Sequence, residues 1–63
     1  MFFQVWRDKT QLLQKTSNAP NTAIVSFDKG YHHATFANYR WRILVHEDMN
    51  QEHTIIIAER ADI

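Results

Sequence analysis

Residues 40–60, RWRILVHEDMNQEHTIIIAER, form the stretch that decides the fold. Its first part alternates in character, so that Trp41, Ile43 and Val45 share one face of a strand while Arg40, Arg42 and Leu44 share the other. Its last part contains three consecutive isoleucines, and side chains branched at Cβ favour a strand over a helix. The stretch therefore predicts a β-hairpin in which Val45 pairs with Thr54.

This register has consequences for both faces of the hairpin. It places Arg40 opposite Glu59, a cross-strand pair of opposite charge that stabilises a sheet modestly. It also places Leu44 opposite Ile55 on the arginine face, so that apolar side chains occur on both faces. An antiparallel sheet with two apolar faces must cover both. A homodimer or a partner protein is the simplest cover.

The clearest single turn signal lies upstream, at Asp28-Lys29-Gly30. Residues 23–27 are rich in β-formers and residues 31–37 resume an alternating pattern. Three residues ending in glycine between two such runs are typical of a hairpin with the glycine in the left-handed region. The pattern predicts that Phe27 pairs with Tyr31.

Residues 2–16 fit two structures. A helical face would contain Phe2, Val5, Trp6, Leu12 and Leu13, but no capping residue precedes it. Alternatively, residues 2–7 and 10–15 are strands joined by a turn at Asp8-Lys9, although neither of these residues tolerates a positive φ as glycine does. The two-strand interpretation is favoured.

The chain of 63 residues is expected to form a single small domain over residues 1–63. The patterns predict a mainly β fold, a small antiparallel sheet or open barrel built from hairpins. The alternative is an α+β fold with one N-terminal helix packed on a four-stranded antiparallel sheet. Cysteine is absent, so neither disulfides nor thiolate metal sites are available to support so small a core.

Charge and hydropathy narrow the class of partner. Seven basic residues balance seven acidic ones, so the chain lacks the overall basic excess expected of a nucleic-acid-binding protein. No apolar run approaches the roughly 18 residues of a membrane helix. The N-terminus does not resemble a signal peptide. We therefore expect a cytoplasmic protein that does not engage membranes.

The histidines suggest one weak metal site. In the predicted register His46 lies opposite His53 and Glu47 opposite Glu52, and two histidines with two carboxylates are an adequate zinc ligand set. The two pairs would nevertheless project to opposite faces, so a solvated acidic loop is the favoured interpretation. No catalytic residues are assigned, because the serines and aspartates fall in linkers, turns and the tail, and no cofactor is expected.

These observations favour a small non-enzymatic protein-interaction module, a regulator or inhibitor that binds a larger protein. Its length is common among small bacterial and phage regulators. The proposed partner-binding residues are aromatic and arginine side chains, which often anchor interfaces: Tyr31, Tyr39, Arg40, Arg42 and Arg60. The alternative is a nucleic-acid-binding β domain that uses an arginine and aromatic strand face, with Arg40, Arg42, Arg60 and Lys29 contacting phosphates.

Overall fold

The computed structural model describes residues 1–48, 50 and 52–62. They form five strands, β1 (Phe2–Arg7), β2 (Gln11–Lys15), β3 (Gly30–Phe36), β4 (Tyr39–Glu47) and β5 (His53–Arg60). The strands make one open antiparallel sheet in the order β2-β1-β5-β4-β3, which confirms the predicted mainly β fold. The described residues contain no helix, so the alternative fold with an N-terminal helix is not observed. Within this part of the chain, no helix is long and apolar enough to span a membrane.

The two-strand interpretation of residues 2–16 is confirmed. Asp8 and Lys9, which are unfavourable turn residues by sequence, do form the turn between the two strands. Asp8 and Lys9 adopt positive φ values of 51° and 59°. Neighbouring groups hold the strained turn in place: the Asp8 amide donates to the Glu52 carbonyl at 2.9 Å, and Lys9 Nζ pairs with Glu47 Oε1 at 3.0 Å. The turn therefore depends on tertiary contacts more than on its own residue preferences.

The predicted hairpin between Phe27 and Tyr31 is wrong. β3 pairs instead with β4 through a two-residue turn, Ala37-Asn38, and Gly30 opens β3 with a φ of 111°. Residues 23–29 form no strand. Their side chains explain why, because a strand would send neighbouring Ile24 and Val25 to opposite faces. The irregular backbone lets both pack against the core.

The hairpin of β4 and β5 exists, but its predicted register is wrong by two residues. Val45 pairs with Ile56 rather than with Thr54. Just before β5, the Asp48 carboxylate accepts a hydrogen bond from the Glu52 amide at 3.0 Å and lies 3.0 Å from His53 Nδ1. Since a shift of two residues preserves the faces of a strand, the predicted alternation survives.

Residues 16–29, which we call the crossing segment, determine which face of the sheet is buried. β2 and β3 lie at opposite edges, so the chain between them must cross the sheet. Gln4, fully buried at 0% exposure, fixes the crossing by donating from Nε2 to the carbonyls of Pro20 and Thr22, both at 2.9 Å. Its Oε1 accepts a hydrogen bond from Trp6 Nε1 at 3.2 Å.

Beneath the crossing segment lies the hydrophobic core. The buried side chains of this covered face are Phe2, Trp6, Trp41, Ile43, Val45, Ile56 and Ala58. From the crossing segment, Ala19 is buried in the same cluster, and Phe27 stacks edge-on against Trp6 with ring centroids 5.4 Å apart. The segment thus supplies the second layer that a single sheet needs. It leaves the opposite face, here called the open face, without such a layer among the described residues.

Candidate protein-interaction face

The open face carries an apolar strip across its three central strands. Because successive side chains of a strand point to opposite faces, the strand residues between the buried ones project here. The pairings Phe3–Ile57 and Leu44–Ile57 form one row across the sheet, and Val5–Ile55 forms the next. We define the apolar strip as Phe3, Val5, Leu44, Ile55 and Ile57.

The strip is only partly buried by the sheet itself. Ile57, at its centre, is 36% exposed, whereas its neighbour Ile56 on the covered face is 0% exposed. The row through Ile57 continues onto β3 at Tyr31, which pairs with Leu44 and is 74% exposed. Contiguous apolar side chains rimmed by polar ones are typical of a surface that binds another macromolecule.

Basic side chains flank the strip at both ends. Alternation places Arg7 at one end of the open face and Arg40 and Arg42 at the other, and Glu59 is the only acidic strand residue on this face of the described chain. Arg42 lies 3.6 Å from Glu59, and both side chains are more than half exposed. The open face is therefore positively charged although the whole chain is neutral.

The structure divides the five predicted partner-binding residues between the two faces. Tyr31, Arg40 and Arg42 project from the open face. Tyr39 and Arg60 lie instead on the covered side at the end of the sheet, where the Arg60 guanidinium stacks 3.6 Å from the Tyr39 ring centroid. These five residues do not form one continuous surface.

Arg60 is further engaged by the residue that follows β5. Its Nε donates to Asp62 Oδ1 at 2.6 Å. This hydrogen bond lowers the pKa of the Asp62 carboxyl and raises the pKa of Arg60. An arginine that already holds a carboxylate and an aromatic ring has fewer donors left for a partner, so Arg60 has less free hydrogen-bonding capacity than Arg40.

The two candidate metal-ligand histidines do not face each other. His46 pairs with Ile55, and His53 pairs with Arg7 across the other edge of β5. His53 instead hydrogen bonds to Asp48, which lowers the pKa of that carboxyl. No group of three metal-ligating side chains occurs within the described residues, and Met49 and Gln51 of the predicted loop lie outside them.

The aromatic and arginine residues chosen from the sequence omit the centre of the open face. Leu44, Ile55 and Ile57 were recognisable as a second apolar face from alternation alone. Phe3 and Val5 join them only because β1 pairs with β5, a contact between strands about 50 residues apart. No local pattern in the sequence predicts the pairing of β1 with β5.

Comparison with known proteins adds no further identification. No protein-family model matches the chain, and no similar protein was found among curated proteins or solved structures. The chain's function must therefore be inferred from the geometry and charge of the open face.

Proposed function

We propose that the protein is a non-enzymatic interaction module, a regulator or inhibitor that binds a larger protein through the open face. The observation that carries this proposal is the asymmetry between the two faces of the sheet. One is covered by the crossing segment, while the other presents the apolar strip with no covering layer among the described residues. A partner that buries the strip removes its apolar surface from water, which is favourable by about 25 cal/mol per Å².

The area of the open face is close to that of a standard protein–protein interface. The two longer extents of the whole molecule are 34 and 22 Å. They give a face on the order of 700 Å², close to the ~800 Å² that each protein contributes to a standard interface. The strip would form the dry centre of the interface and the arginines part of its rim.

The charge of the open face indicates the chemistry of the partner. Arg7, Arg40 and Arg42 outnumber Glu59 on this face. We therefore propose that the partner surface is apolar at its centre and acidic at its rim. A second copy of this chain is the competing occupant, and homodimerisation would bring like-charged ends close to one another unless the two sheets cross.

The direct test compares partner binding by variants on the two faces. We expect Ile57→Gln to weaken binding at least about tenfold, because it removes an apolar anchor from the centre of the face. Arg42→Ala, which removes a rim charge, should weaken binding by a smaller factor, about two- to fivefold. Tyr39 lies on the covered side of the sheet, so Tyr39→Ala is expected to change the affinity for the partner less than about threefold. The partner is captured from cell extract with the tagged chain, purified, and titrated against each variant by calorimetry.

Controls separate a lost interface from a lost fold. Ala23→Gln, on the exposed part of the crossing segment, should bind like the parent. Circular dichroism should be unchanged for every variant. Equal binding by Ile57→Gln and the parent would refute the assignment of the open face. Sedimentation analysis of the purified chain identifies the competing case: a dimer that Ile57→Gln dissociates would assign the face to self-association.

A second function, nucleic-acid binding, is favoured by one specific observation. Arg40, Arg42 and the exposed ring of Tyr31 lie together on β3 and β4 of the open face, as they do in sheets that stack bases and contact phosphates. Arg60 is on the other face and does not extend this patch. Capture that disappears after nuclease treatment of the extract would favour this function over protein binding.

A further inference from the structure

A cavity lies on the open face, at the end of the sheet where β3 turns into β4. Its volume is about 270 Å³, and residues of β3, β4 and the segment after β5 line it: His33, Ala34, Thr35, Arg40, Trp41 and Ala61. The backbone of Ala61 donates to the Arg40 carbonyl at 2.9 Å, which holds the C-terminal wall of the cavity against β4. The cavity is thus built from three separate parts of the chain.

The side chains of His33, Thr35 and Arg40, which line this cavity, can each donate a hydrogen bond. Thr35 pairs with Arg40 across the two strands, and His33 lies two residues from Thr35 on the same face. A guanidinium, an imidazole and a hydroxyl therefore converge from adjacent strands. No carboxylate is among the lining residues.

Arg40 differs from the other arginines at this end of the sheet. Arg42 is paired with Glu59 and Arg60 with Asp62. Arg40 has no ion pair within the part of the chain that the structure describes. Its planar guanidinium can donate two parallel hydrogen bonds to one oxyanion, a geometry that carboxylates accept well.

We propose that this cavity receives a carboxylate of the partner protein, with Arg40 as its principal ligand and Thr35 and His33 as further donors. The proposal rests on the proposed function and deepens it, because it places one acidic side chain of the partner at a defined position beside the apolar strip. A single unpaired guanidinium matches a monoanion in charge. A phosphate dianion would leave one negative charge without a partner.

The test uses the isolated chain and small probes, so it needs no partner. Isotopically labelled protein is titrated with N-acetyl-aspartate N-methylamide, which carries one carboxylate, and separately with inorganic phosphate. We expect a saturable NMR shift of the Arg40 Nε–H, the His33 ring and the Thr35 amide with the carboxylate probe. Arg40→Gln should weaken probe binding roughly tenfold, since it removes the charged donor.

The matched control is Arg7→Gln, at the opposite end of the open face, which should bind the probe like the parent. Absence of a saturable shift, or equal binding by Arg40→Gln and the parent, would overturn the proposal. Tighter binding of phosphate than of the carboxylate would overturn it as well and assign the cavity to a phosphate ligand. If the probe binds as expected but the open face captures no protein, the proposed function fails while the cavity remains a carboxylate site.

Discussion

At the scale of single residues, the turn between β3 and β4 is strained. Ala37 and Asn38 both have positive φ, 53° and 67°. Asparagine adopts this region with little penalty, whereas an alanine there is disfavoured by about 1 kcal/mol. We predict that Ala37→Asn raises the free energy of unfolding by about 0.5–1 kcal/mol, measured by urea denaturation.

The control for this substitution is Ala23→Asn. Ala23 is exposed and is not among the residues with positive φ. Ala23→Asn should change the free energy of unfolding by less than about 0.5 kcal/mol, as is usual for surface positions. A stability gain of equal size at both positions would show that turn strain is not the cause.

At the scale of elements, the attachment of the crossing segment to the sheet depends on Gln4. Gln4→Leu substitutes an apolar side chain of similar size. It removes the Nε2 group that donates to the carbonyls of Pro20 and Thr22, and the Oε1 acceptor for Trp6 Nε1. Buried polar groups left without partners are costly, so we predict a loss of about 2–4 kcal/mol. Thermal unfolding followed by tryptophan fluorescence measures it.

A second glutamine serves as the comparison. Gln14 is exposed on the neighbouring strand β2, and Gln14→Leu should leave the unfolding temperature nearly unchanged. Hydrogen exchange adds a local measurement, because Gln4→Leu should accelerate exchange in residues 16–29 more than in β4. If Gln4→Leu unfolds at the temperature of the parent, the side chain does not anchor the crossing segment.

At the scale of the whole molecule, the charge of the open face sets how binding responds to salt. A protein partner held mainly by the apolar strip should lose about tenfold or less in affinity between 50 and 200 mM NaCl. A single-stranded nucleic acid that contacts all three open-face arginines should lose roughly 20-fold over the same range. Titrations of the purified partner at four salt concentrations distinguish these cases, and a slope unaffected by Arg42→Ala would contradict a role for this rim.

The sequence by itself determined β4 and β5 and the two faces of each strand, although it also predicted a strand over residues 23–27 that does not form. Alternation from Arg40 to Val45 separated Trp41 and Ile43 from Arg42 and Leu44, and the structure keeps that separation even though the register is shifted by two residues. This was predictable because the side-chain period of a strand is two and belongs to the local chain. The second apolar face was foreseeable for the same reason.

Only the tertiary structure decided which of those faces is buried and which is open. That outcome depends on the path of residues 16–29, which Gln4 fixes through carbonyls more than 15 residues away. The full width of the apolar strip similarly depends on β1 lying beside β5. These contacts join residues that are distant along the chain or compete with local preferences, so no local pattern specifies them.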